Sequence, residues 1–174
     1  PTYRNAVVLG TFDQQVHVHW QTFVGGRSFV PDGFVSVASN DEMERRFVLY
    51  ARAIGAPTDT FLEMVQASSH NGLVFVSKYA ASSIHAMAPL SDYTEAQRRR
   101  IAARGPFEAF GFEVPISELE RLRKEYEGDA FRDAAPRLDL VVLNNDERFG
   151  KLAPPSTEYD LVFQNAMFRL FARK

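Results

Sequence analysis

The chain has 174 residues, 45% of them hydrophobic and 13% aromatic, with 20 Lys and Arg against 22 Asp and Glu and a net charge of -2. That length and apolar content suit one packed domain and exclude a disordered polar chain. Near-neutrality excludes the basic field that draws proteins to nucleic acid. Cysteine is absent, which excludes disulfides and thiolate chemistry but leaves the redox compartment open.

In chain order, Ala6 to Leu9 reads as a short buried strand that ends at the turn formers of Gly10-Thr-Phe-Asp13. Gln14 to Val24 fits either period, with Val16, Trp20 and Phe23 on one helical face, and is taken as a short helix. Gly25-Gly26 breaks it, Arg27 to Val30 is extended, and Pro31-Asp-Gly33 turns the chain. Ser39 and Glu42 form a capping box for a helix whose inner face carries Met43, Phe47, Tyr50 and Ile54. Gly55 stands at its left-handed C-terminus and Pro57 forbids continuation.

A second helix is predicted from Thr58 or Asp59 with Phe61, Leu62 and Val65 inward, then a buried strand at Leu73 to Ser77 and a loop from Tyr79 to Leu90. Asp92 and Glu95 read as a second capping box, opening a helix through Arg104. Pro115 enters a helix over Ile116 to Glu127, with Ile116, Leu119, Leu122 and Tyr126 inward and Gly128 at its end. Leu138 to Leu143 is a β-branched strand ending at Asn144-Asn145-Asp146. Tyr159 to Gln164 and Met167 to Ala172 form a terminal β-hairpin around Asn165-Ala166.

Strands alternating with helices predict a single α/β domain over residues 1–174. Its sheet is expected to be mixed and mostly parallel, with helices on both faces and the C-terminal antiparallel hairpin at its edge. The hairpin is expected to be scaffold, so that Leu161→Asp unfolds the domain and Arg169→Ala leaves any activity intact. The longest apolar runs, such as Leu73 to Val76, are far short of the roughly 20 residues of a membrane helix. A start at Pro1 fits either a trimmed initiator Met or a fragment of a longer protein.

Chemistry-bearing residues concentrate near the first strand. Asp13, His17, His19 and Arg27 are the candidate binding residues, because ligands of α/β sheets sit at the C-terminal ends of strands. Gly10-Thr-Phe-Asp13 followed by His17 and His19 resembles the nucleotidylyltransferase signature, although here the histidines stand two apart and lack the glycine between them. The same histidines alternate as metal ligands would on a strand, and also read as ordinary polar residues beside Trp20. Arg98-Arg99-Arg100 reads as a solvated helix face, and Asp92, Glu95, Glu118 and Glu120 as caps and surface charges. No nucleophile, metal or cofactor motif is evident, and no catalytic residue is assigned.

The succession of Gly26-Arg27-Ser-Phe-Val-Pro-Asp-Gly33-Phe34, Glu44-Arg-Arg-Phe47 through Gly55, Leu138 to Leu143, and the closing Tyr159 to Asn165 with Phe168-Arg-Leu-Phe171 resembles a known arrangement. It is similar to the soluble C-terminal region of multi-spanning bacterial membrane proteins of the glycosyltransferase C type. That resemblance implies a non-catalytic accessory or binding domain on the extracytoplasmic side of a bacterial membrane. Its partner would be a membrane-embedded part of the same protein that handles a lipid-linked sugar. The alternative is a free-standing cytoplasmic enzyme or small-molecule-binding protein, for a nucleotide or a metal, with its site near Asp13, His17, His19 and Arg27.

Overall fold

The computed structural model describes residues 7–9, 27–29, 38–67, 88–103, 113–128, 138–145, 149 and 151–174. Helix α1, Asn40–Ala53, starts where the Ser39 hydroxyl accepts the Glu42 amide at 3.2 Å. It ends in a Schellman motif: the Ala56 amide donates to the Ala51 carbonyl and the Gly55 amide to that of Arg52, with Gly55 at φ 68. Helix α2, Thr58–Gln66, follows directly after Pro57. The predicted inner residues of both helices are buried, and α1 also buries Glu44, Val48, Leu49 and Ala51, so it lies deep in the core.

A 3-10 turn, Leu90–Asp92, leads into α3, Glu95–Ala103, and then comes α4, Ile116–Glu127. The start of α3 differs from expectation. Its capping box is Thr94 with Gln97: the Gln97 amide donates to the Thr94 hydroxyl at 3.2 Å, and the Thr94 amide donates to the Gln97 side-chain oxygen at 2.9 Å. Asp92 is thereby released to cap a different helix. Its carboxylate accepts the Ser117 amide at 3.0 Å and the Ser117 hydroxyl, in the first turn of α4, where Pro115 has no side chain to do so.

The far end of α4 is closed by α1. The Arg52 guanidinium donates through Nη2 to the carbonyls of Glu125, Tyr126 and Gly128 at 2.6–2.9 Å and lies over the Tyr126 ring. A cation on the last carbonyls of a helix satisfies orphan acceptors and opposes the negative end of the dipole. Arg121 of α4 reaches back to the buried Glu44 at 2.7 Å while also holding Glu118 and Glu125. Phe61 of α2 stacks on Tyr126 at 4.2 Å and meets Phe47 at 5.9 Å, and the Tyr126 hydroxyl donates to the Ala56 carbonyl.

The sheet contains β1 (Val7–Leu9), β2 (Arg27–Ser28), β3 (Leu140–Asn144), β4 (Tyr159–Gln164) and β5 (Phe168–Arg173), in the order β2-β1-β3-β5-β4. This overturns the expected mostly parallel sheet with helices on both faces. The parallel contacts of β1 with β2 and with β3 are two residue pairs each. The antiparallel ladders of β3 with β5 and β5 with β4 are five pairs each, so the three-stranded antiparallel block is the body of the sheet. Helices cover one face among the described residues: Val141, Leu143, Tyr159 and Phe171 join the core of α1, α2 and α4. The opposite face gathers Leu140 and Val142 with the half-buried Phe168, Leu170 and Ala172, and no described helix joins them. The expected helix at Gln14 to Val24 and strand at Leu73 to Ser77 lie outside the described residues.

Candidate functional site

Residues Asp13, His17 and His19 lie outside the described residues. Arg27 stands in β2, where its backbone pairs with Val7, and its side chain is likewise outside them. Among the described residues no group of three or more His, Cys, Asp or Glu is placed to hold a metal ion. No described helix is long and apolar enough to cross a membrane.

The arginine run on α3 is engaged by its own neighbourhood. Arg98 donates to the Leu90 carbonyl, Arg99 pairs with Glu95 one turn back, and Arg100 makes a forked bond to the buried Glu113 at 2.6 and 3.0 Å. Glu118 pairs with Arg121, as a surface charge would. Among the described residues, Tyr93 is a buried phenol whose hydroxyl lacks a hydrogen-bond partner. Burial, and then the nearby Asp92 and Glu113, push its ionisation up, away from the phenolate that a base or nucleophile requires.

Among the described residues, the surface that departs most from an ordinary solvated exterior is the terminal hairpin. β5 is the inner strand, paired on both sides, and its Phe171 is buried. β4 is the outer strand, and no strand pairs with its other edge among the described residues. After the buried Tyr159, whose hydroxyl donates to the Leu138 carbonyl at 3.2 Å, every residue of β4 is exposed. Leu161, Val162 and Phe163 stand at 50%, 50% and 52% exposure, and Met167 at the tip at 52%.

Register explains three consecutive apolar residues at the surface. Leu161 opposes Phe171 on the helix-covered face, Phe163 opposes Leu170 on the other, and an irregularity in the ladder leaves Val162 between them. Apolar side chains therefore project from both faces of one edge strand. Edge strands are ordinarily guarded by Lys, Pro, inward charges or bulges. Tyr159 to Gln164 contains neither Lys nor Pro, and its guards are this bulge and Asp160, whose carboxylate lies 3.5 Å from the Lys174 ammonium.

Side-chain hydrogen bonds close the hairpin turn next to the edge. Asn165 accepts the amides of Met167 and Phe168 on its side-chain oxygen at 2.8 and 2.7 Å, closing the turn that lacks glycine. Asn145 donates to the carbonyls of Asn165 and Ala166, both at 3.1 Å, and accepts from Arg169 at 3.0 Å. Arg169 also donates to the Leu152 carbonyl at 2.8 Å. A preorganised strand with free backbone groups and flanking apolar side chains is suited to adding another strand, with main-chain bonds for affinity and side chains for selectivity.

The sequence reading took this hairpin as scaffold, and the exposure of its outer strand was not legible because β4 and β5 have the same apolar character locally. The usable signal was the absence of any Lys or Pro from a strand next to the terminus. No family model matches the chain, and no curated protein or solved structure is significantly similar to it.

Proposed function

We propose that the chain is a non-catalytic binding domain that recognises an extended polypeptide segment by strand addition along β4. The observation that carries this reading is the unpaired β4 edge with Leu161, Val162 and Phe163 half exposed on consecutive positions. Exposed apolar patches on otherwise polar surfaces mark interaction sites. The role of accessory module in a membrane-associated sugar-transfer protein rests on the order of segments described above, and the strand edge is compatible with docking onto another part of such a protein.

The test uses isotope-labelled protein titrated with hexapeptides that alternate branched aliphatic and aromatic residues, followed by amide chemical shifts. Strand addition perturbs Leu161 to Gln164 first and is lost in Val162→Lys. Peptides that leave β4 unchanged, together with nucleotide or metal binding elsewhere that raises the melting temperature, would sink the reading in favour of a small-molecule site.

A further inference from the structure

Away from the hairpin, we infer that residues 90–103, the 3-10 turn with α3, form a strap that opens as one unit while the core of α1, α2 and α4 stays folded. Seven of the nine residues of α3 are exposed, Ile101 is half-buried, and the one buried residue is Gln97, a polar side chain. A helix this short does not persist in water on its own propensity. It lasts as long as its ties to the rest of the molecule hold.

Those ties are polar and fall on one short stretch. Arg98 bonds Leu90 and Arg99 pairs with Glu95, both inside the strap, so neither holds it down. Asp92 bonds Ser117, the Gln97 side-chain amide donates to the Val114 carbonyl at 2.8 Å, and Arg100 forks onto Glu113. Read along the strap, the partners run backwards from 117 to 114 to 113. The strap therefore lies antiparallel along residues 113–117, and all three ties can part in a single movement. Arg100 is itself 55% exposed, and a pair open to water on one side holds weakly.

Tyr93 is the apolar anchor of the strap, 2% exposed and part of the main core, and it carries a cost. Its hydroxyl is buried without a hydrogen-bond partner among the described residues. Water satisfies that hydroxyl once the strap lifts, so the orphan group biases the closed state toward opening. Opening bares Val114 and Glu113 and strips Ser117 of its cap, whereas Arg52 and the Arg121–Glu44 pair keep the rest of α4 on α1. Elements that move in a fold are drawn from such weakly held parts.

Native-state amide hydrogen exchange tests this on the whole chain. Arg98 to Ala103 should exchange at least about a hundredfold faster than Phe47 to Ala51, with a shallower dependence on urea because less surface is exposed. Tyr93→Phe keeps the ring and removes the orphan hydroxyl, and should slow exchange at Arg98 to Ala103 by about tenfold. Glu113→Gln weakens a tie outside the helix and should speed it by a similar factor. Phe61→Leu, in the core, should accelerate Phe47 to Ala51 and leave Arg98 to Ala103 as in the native chain.

Exchange in α3 no faster than in α1, or α3 following Phe61→Leu, would show that the strap opens only with the whole fold and overturns the inference. Exchange in α3 that Tyr93→Phe and Glu113→Gln leave unchanged reports fraying within the helix, and overturns it as well.

Discussion

The helical core and the terminal hairpin edge have similar apolar content and opposite fates. In α1 and its neighbours nearly every group has a partner: Phe61 lies between Phe47 and Tyr126, Arg52 caps α4, and Glu44 meets Arg121. In β4, Leu161, Val162 and Phe163 are half exposed and the outer edge pairs with no described strand. The contrast teaches that apolar residues report burial only when the element has neighbours on the relevant side. Where described neighbours are lacking, as along the outer edge of β4, the same residues stay half exposed.

The contrast can be tested from its buried side outward. Phe61→Ala removes a fully buried ring from the centre of an aromatic cluster and is expected to cost about 3–5 kcal/mol, read as a lowered urea midpoint with unchanged slope. Arg52→Ala strips three carbonyls at the end of α4 of their donor and is expected to cost about 2 kcal/mol. Hydrogen exchange should then rise first at the C-terminal turn of α4. Arg52→Lys restores the charge without the planar guanidinium that lies over the Tyr126 ring and should recover only part of the loss.

Alkali probes the same cluster. Burial pushes the Tyr126 hydroxyl up to about 12, against the opposing field of Arg52, while an unfolded tyrosine ionises near 10. The folded state therefore holds this proton more tightly, and its contribution is fully present below about pH 10 and lost as pH rises through about 12. The melting temperature should fall over that window, and less steeply in Tyr126→Phe.

Asp92→Ala removes the remote cap of α4 and is expected to cost about 1 kcal/mol. At the edge the expected effect is smallest. Leu161→Asp, which the sequence reading expected to unfold the domain, falls on a half-exposed residue and should change stability by less than about 0.5 kcal/mol. A collapse of the melting temperature in Leu161→Asp would show that this edge is part of the core and remove the contrast. Arg169→Ala, by comparison, releases Asn145 and Leu152 from the hairpin and should loosen its tip without unfolding the helices.

Local chemistry in the sequence determined where elements begin and end. Ser39 with Glu42, Gly55 before Pro57, and Pro115 with Gly128 bracket their helices because capping, left-handed glycine and proline act within about one turn of the chain. The observed bounds, Asn40–Ala53, Thr58–Gln66 and Ile116–Glu127, follow those signals closely. The hairpin was legible for the same reason: alternation and Asn165 are neighbours in sequence.

Tertiary structure alone decided the rest. Asp92 was read as the cap of the helix beside it, yet it serves one whose first turn is 25 residues away, because Thr94 and Gln97 already satisfy the nearer helix. Arg52 finds carbonyls 73 to 76 residues onward. The order β3-β5-β4, which turns a supposed edge ornament into the body of the sheet and leaves β4 open, depends on which strand the packed core admits next to β3. Two hairpin strands of equal apolar character carry no local mark of that choice, since pairing order is set by burial against distant segments and not by either strand's own residues.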